Sequence, residues 1–143
     1  MGRFSQSKSS AVLDFTGMAD CFSRTLTTGV DTKVGTSADD SFTATPGQWS
    51  ALDSIDGGAG TDSFAVAETS AITIPVSSTV ANIEHITLTS TSSVTADTST
   101  WSGVSKLITS SVGAQAITAA TTTDVTAVGV ITASAFAVSG GKD

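Results

Sequence analysis

Residues 52–64 read LDSIDGGAGTDSF. Within and just beyond them, Gly57-Gly58-Ala59-Gly60-Thr61-Asp62-Ser63-Phe64-Ala65 fits the nonapeptide G-G-x-G-x-D-x-U-x at every defined position, with Phe64 as the large apolar U. The pattern has a mechanism. Glycines let a turn curl so that its carbonyl oxygens point inward, the aspartate adds a carboxylate, and the apolar residue faces the interior of a flat coil of strands. Oxygen donors of this kind suit Ca²⁺ better than any softer metal.

The same frame extends upstream. Asp53-Ser54-Ile55-Asp56 reads as the tail D-x-U-x of a preceding nonapeptide, so Asp53 lies nine residues before Asp62 and Ile55 nine before Phe64. Gly35-Thr36-Ser37-Ala38-Asp39-Asp40-Ser41-Phe42-Thr43 matches again, with Ala38 replacing a glycine. Asp31 stands nine before Asp40, although Lys33 occupies the position of the apolar residue. Six of the thirteen acidic residues (Asp31, Asp39, Asp40, Asp53, Asp56 and Asp62) fall in this stretch, whose one cation is Lys33. Such a cluster repels itself, and a divalent cation relieves that repulsion. The plainer alternative is that these aspartates solvate turns, where Asp is common.

Composition agrees with stacked strands. The 143 residues are enough for one domain with a core. About a third of them are Ser or Thr, Tyr is absent and charged residues are few, which suits small β-forming side chains on closely spaced strands. A net charge of −7 argues against a nucleic-acid partner, since no basic patch is present to neutralise phosphates. Cys21 is the sole cysteine, which excludes an internal disulfide; a buried apolar filler is the expected role. No run approaches the roughly 18 apolar residues of a membrane-spanning helix.

Residues 1–24 differ from the rest. They hold three of the six cations, both methionines and Cys21, and are expected to form a short irregular or helical segment, with Ser9 or Ser10 as a helix cap. A basic start without a continuous apolar region argues against a secretory signal peptide. Residues 25–143 are assigned to one β-solenoid domain. Pro46-Gly47 marks a turn that interrupts the nine-residue period, and Trp49 and Leu52, three apart, are expected to pack down from one helical turn or loop and cover the end or edge of the coil. From Phe64 onward, alternating short strands are predicted over Ser63–Ala67, Ala71–Val76, Val80–Thr89, Ser93–Ala96, Lys106–Thr109, Ala116–Ala119, Asp124–Val128 and Val130–Ala133, followed by one at Ala135–Val138. Apolar-Thr-Ala recurs at Val94, Ile117, Val125 and Ile131, as a stack of rungs would show. The fold class expected is therefore all-β, a parallel β-helix or β-roll with Gly/Asp turns. An antiparallel sandwich is the competing architecture, but hairpin dipeptides are missing except at Asp56-Gly57.

Thr28-Gly29-Val30-Asp31 through Phe64, then Thr79-Val80-Ala81-Asn82-Ile83-Glu84 and Thr100-Trp101-Ser102-Gly103-Val104, together resemble the bacterial surface-layer proteins of the RTX type, in motif and in order. The resemblance covers residues from about Leu26 onward. It implies a structural, self-assembling protein of the extracellular cell surface, exported by a type I route and stabilised by Ca²⁺ at its turns. It carries the calcium role to Asp40, Asp53 and Asp62, with Gly57, Gly58 and Gly60 as backbone ligands or turn formers, and more weakly to Asp31. Asp56 completes the candidate metal set through its place in the acidic stretch. Self-association into an array or filament is the partner expected, with cell-surface polysaccharide engaged through a region outside this chain. The alternative is an RTX adhesin, or the secretion module of a larger exported protein or hydrolase.

An enzyme is not expected. His85 is the only histidine and therefore the only neutral-pH base. It sits on a predicted strand with no nucleophile framed beside it, and neither a nucleophile elbow, a zinc-helix motif nor a phosphate loop is present.

Overall fold

The computed structural model describes residues 21–129 and 136–142. Most of the expected N-terminal segment and the strand expected over Val130–Ala133 lie outside the described residues. The described chain is all-β and parallel, without a helix, a solenoid of about five turns.

Its strands are short. They are β1 (Ser23–Thr25), β2 (Thr32–Val34), β3 (Ser41–Ala44), β4 (Ser54–Asp56), β5 (Ser63–Glu68), β6 (Ile72–Thr73) and β7 (Thr79–Ala81). They continue as β8 (His85–Ser90), β9 (Val94–Asp97), β10 (Lys106–Ser111), β11 (Gln115–Ala119), β12 (Asp124–Gly129) and β13 (Phe136–Gly140). One wall runs the length of the molecule as a six-stranded sheet, β1-β3-β5-β8-β10-β12. The facing wall changes partway. It is β2-β4-β7 in the first coils and β6-β9-β11-β13 in the later ones. The coil containing β5, β6 and β7 contributes to all three sheets, so the handover happens there.

Registration explains why these short strands hold. Along the long wall Phe42 pairs with Phe64, Phe64 with Ile86, Ile86 with Leu107 and Leu107 with Val125. A second column runs Ala44, Val66, Leu88, Thr109. Each rung covers the apolar face of the next, and burying a Phe, Leu or Ile side chain stabilises by about 1.5–3 kcal/mol. Trp49 joins this core through edge-to-face contacts, its ring centroid 5.5 Å from Phe64 and 5.9 Å from Trp101. One buried polar pair interrupts it: the Thr109 hydroxyl donates to Gln115 Oε1 at 2.6 Å, and Gln115 Nε2 donates to the Val128 carbonyl at 2.8 Å.

The first coil puts cations at the ends of apolar columns. Arg24 pairs with Phe42, and Lys33 with Ile55. Lys33 thus holds the inward position that the nonapeptide reserves for an apolar residue, and its ammonium pairs with Asp31 Oδ1 at 2.9 Å. Long cationic side chains can lay their stems over apolar surface while the charge stays paired or wet.

Several local expectations change. Val76 is 79 % exposed, because Pro75–Ser78 is a tight turn in which Ser78 N–H donates to the Pro75 carbonyl at 3.2 Å; the strand there is only Ile72–Thr73. Leu52 points to solvent from a left-handed backbone (φ 71°), so of the two residues expected to cover the coil only Trp49 is buried. The run Val80–Thr89 breaks at Asn82 (φ 51°) into two strands on different walls, with Ile83 buried at the corner between them. Among the described residues the apolar-Thr-Ala fragments at Val94, Ile117 and Val125 do not stack on each other: Val94 pairs with Gln115, Ile117 with Ala96, and Val125 lies on the opposite wall beside Leu107; the fragment at Ile131 lies outside the described residues. Cys21 is exposed rather than a core filler.

Candidate functional site

Five acidic residues stand immediately before a strand. Asp31 precedes β2, Asp40 β3, Asp53 β4, Asp62 β5 and Glu84 β8. Nine residues carry the chain from one corner of the flattened coil to the opposite one, so the nonapeptide period places successive aspartates on opposite corners. A full coil brings the chain back. Asp31 and Asp53 therefore share one corner, while Asp40, Asp62 and Glu84 share the other.

Within a column the carboxylates are bonded by one rule. The acid of one coil accepts the backbone N–H at the corresponding position of the coil before it. Phe22 N–H donates to Asp40 Oδ1 at 2.6 Å, Asp40 N–H to Asp62 Oδ1 at 2.6 Å, and Asp62 N–H to Glu84 Oε2 at 2.7 Å. At the opposite corner Asp31 N–H donates to Asp53 Oδ1 at 2.8 Å. Acceptors on a charged carboxylate make the stronger class of hydrogen bond, and a buried N–H at a turn needs one.

The second carboxylate oxygen is where the turns diverge. Asp31 Oδ2 accepts from the N–H and hydroxyl of Thr27, and Asp40 Oδ2 from those of Thr36. Asp53 Oδ2 accepts from Ser50 N–H at 2.6 Å. In each case a Ser or Thr three or four residues upstream closes the turn onto its own aspartate. Four residues before Asp62 stands Gly58, which has no hydroxyl, and its N–H donates to Asp56 Oδ1 at 3.1 Å. Asp62 Oδ2 is consequently buried without a hydrogen-bond partner, in a residue only 1 % exposed.

Charge follows the same division. At Asp31 burial opposes ionisation, but the Thr27 N–H, the Lys33 ammonium and the Thr27 hydroxyl outweigh it, and the carboxyl is held below its ordinary value. At Asp40 burial is likewise outweighed, by the Phe22 and Thr36 N–H groups, the Thr36 hydroxyl and the charge of Arg24. Asp62 goes the other way. Burial raises its pKa, the Asp40 N–H offsets only part of this, and the negative charges of Glu84, Asp40 and Asp39 raise it further.

The glycines of the consensus are required by coil stacking. A Cβ on Gly57 would lie 1.9 Å from the Asn82 carbonyl oxygen and 2.5 Å from Asp62 Oδ2. On Gly58 it would lie 2.3 Å from the Thr36 carbonyl oxygen, and on Gly60 2.7 Å from the Ala38 carbonyl. Gly58 and Gly60 also have φ of 93° and 123°, which other residues avoid. The missing side chain at Gly57 leaves the Asn82 carbonyl oxygen and the orphaned Asp62 oxygen facing the same small space.

The predicted residues are therefore only partly gathered. Asp40 and Asp62 are in one column, with Gly57, Gly58 and Gly60 in the turn beside them. Asp31 and Asp53 are at the far corner. Asp56 is half-buried and bonds Asn82 Nδ2 at 2.8 Å. Sequence reasoning missed Glu84 and Asn82 as members; the signal was Glu84 standing 22 residues after Asp62, as Asp62 stands 22 after Asp40. Among the described residues no group of three or more His, Cys, Asp or Glu is placed to hold a metal ion. A cation at this corner would accordingly take main-chain carbonyl oxygen as well as carboxylate, a donor set of hard oxygens that fits Ca²⁺. His85 is exposed beside Glu84.

The fold and this column define a parallel β-solenoid with an acidic corner. No protein-family model and no curated protein matches the chain.

Proposed function

We propose that this chain is a structural, self-assembling solenoid of the cell-surface array kind, stabilised by Ca²⁺ at the Asp62 corner and carried outside the cell by a type I route. The observation that carries the calcium part is the buried, unpartnered Asp62 Oδ2. A buried carboxylate oxygen without a donor is costly, three anionic neighbours add to that cost, and the sister turns avoid it with a Thr or Ser. A cation held by Asp62 Oδ2 and the Asn82 carbonyl would satisfy the oxygen and offset the charge of Glu84 and Asp40. These oxygens meet only when coils stack, so the ion's binding energy becomes folding energy. The self-assembling part of the reading rests on the resemblance of the chain from about Leu26 onward to surface-layer proteins of the RTX type.

Electron microscopy and circular dichroism of the same sample, with millimolar Ca²⁺ and then with excess chelator, test the proposal. Sheets or filaments that dissolve on chelation with loss of β signal are expected. A calcium-responsive monomer would favour the adhesion or secretion module instead. Indifference to calcium in both measurements would reduce the acidic turns to turns.

A further inference from the structure

Asn82-Ile83-Glu84 and Trp101-Ser102-Gly103-Val104, far apart in sequence, are brought together beside the Asp62 corner. Between β4 and Asp62 the chain spends five residues, Gly57 to Thr61, three of them glycine. Between β7 and Glu84 it spends two, Asn82 and Ile83. This shorter turn contains no glycine. Asn82 takes the left-handed backbone itself, with φ 51°, a conformation that Asn tolerates better than most residues.

Asn82 is gripped from two sides. Its backbone N–H donates to Ser102 Oγ at 3.1 Å, and its Nδ2 donates to Asp56 Oδ1 at 2.8 Å, an oxygen that also accepts from Gly58 N–H at 3.1 Å. Ser102 is placed in turn by its neighbours. Trp101 is buried and meets Trp49 edge-to-face, the ring centroids 5.9 Å apart, and Ile83 N–H donates to the Ser102 carbonyl at 3.4 Å. Gly103 (φ 88°) permits the close approach, since a Cβ there would lie 3.1 Å from Asn82 Cα and 3.1 Å from Glu84 Oε1. What remains of Asn82 is its carbonyl oxygen, which faces the Gly57 space together with Asp62 Oδ2. Asp56 lies on another side of the chain. In β4 Ile55 is buried while Ser54 and Asp56 are half-buried, so the Asp56 carboxylate leaves the outer face of the coil, whereas Asp62 is buried.

On the reading that the Asp62 corner holds Ca²⁺, on which this rests, we infer that Asp56 and Ser102 are positioning residues for that corner. They fix Asn82 so that its carbonyl oxygen is presented to the ion, and Asp56 acts through Asn82 instead of as a ligand. Metal affinity depends on such outer partners, because an oxygen already held in place loses little freedom on binding. The glycine turn and the two later segments then serve one site. Asn82 supplies an oxygen, Glu84 fastens the Asp62 N–H, and Trp101 seats Ser102 on the core.

Calorimetric titration of the full chain with Ca²⁺, together with NMR of the chelated protein, tests this. Asp56→Asn keeps an oxygen for the Asn82 amide and the Gly58 N–H, and its calcium dissociation constant is expected within about threefold of the unsubstituted value, the weight of one screened charge. Asp56→Ala and Ser102→Ala release Asn82 and are expected to weaken binding about ten- to a hundredfold. Without metal, the Asn82 Cα and Cβ shifts mark its left-handed backbone; Asp56→Ala is expected to move them and Asp56→Asn to leave them in place. A loss in Asp56→Asn as large as that in Asp62→Asn would make Asp56 a ligand and overturn the assignment, as would native affinity in Asp56→Ala. An unsubstituted chain that binds no calcium would sink the calcium reading alone. The metal-free spectra then decide, and Asn82 shifts that Asp56→Ala leaves unmoved would end the positioning role.

Discussion

Asp62 accepts the backbone N–H of Asp40 through Oδ1 at 2.6 Å, across 22 residues of sequence, and leaves Oδ2 buried with no donor. The same side chain thus fastens two coils together and carries the least satisfied charge in the column. Its two oxygens have different consequences, and substitutions can separate them.

Asp62→Asn keeps an acceptor for Asp40 and puts an amide donor where the carboxylate faced the Asn82 carbonyl. In chelator it is expected to stabilise by about 1 kcal/mol, roughly 3–5 °C in the melting midpoint. It is also expected to remove the rise in midpoint on adding Ca²⁺. Asp97→Ala, at an exposed position, should do neither. Thermal melts of the three proteins with and without calcium decide this, and an undiminished calcium response in Asp62→Asn would remove Asp62 from the site.

Acid should act in two opposite stages without metal. Asp62 has a folded pKa above its ordinary 3.8, so the folded state binds this proton more tightly than the unfolded state, and stability rises as pH falls through that raised value. Asp31 and Asp40 have lowered folded values. Their contribution is present above the ordinary carboxylate value and is lost as pH falls through their folded ones. Maximum metal-free stability is therefore expected in mild acid, with a decline below about pH 4. Asp62→Asn should lose the rise and keep the decline, as read from urea midpoints across pH.

Gly57→Ala should be among the most damaging single changes, because its methyl would meet the Asn82 carbonyl oxygen at 1.9 Å and that oxygen belongs to backbone. A loss of more than about 3 kcal/mol is expected, beyond the ordinary range for point changes. Gly47→Ala meets nothing within 4 Å and bears only the strain of φ 77°, so it should cost about 1 kcal/mol. Comparable costs for both would mean that coil stacking does not depend on Gly57.

Phe64→Ala removes a fully buried ring from the middle of the long wall and from its contact with Trp49. It should cost about 3–5 kcal/mol, whereas Val76→Ala should fall within about 0.5 kcal/mol. Denaturant unfolding of both proteins measures the contrast.

Thr109→Val should cost about 1–3 kcal/mol by stranding Gln115 Oε1 in the core. Adding Gln115→Leu should recover much of it, since an apolar pair leaves no stranded side-chain acceptor. A double variant as unstable as the sum of the singles would show that the pair is not coupled.

The parallel solenoid was legible in LDSIDGGAGTDSF and its partial repeats because turn glycines, a turn aspartate and one inward apolar residue are local requirements at a local spacing. Strand alternation at Ile86 and Leu88 was legible for the same reason. The facing wall that changes sheets was not, nor was the outward Val76, nor the failure of the apolar-Thr-Ala fragments at Val94, Ile117 and Val125 to stack. Those depend on how many residues each coil spends in its loops, which sets the register between rungs that no single segment encodes. The aspartates were visible in the chain; which of them lacks a donor was not. Thr36 closes the turn on Asp40, Gly58 cannot close the one on Asp62, and Glu84 arrives a full coil later. Only stacking brings these three differences to one corner, because hydrogen bonding and charge act between neighbours in space.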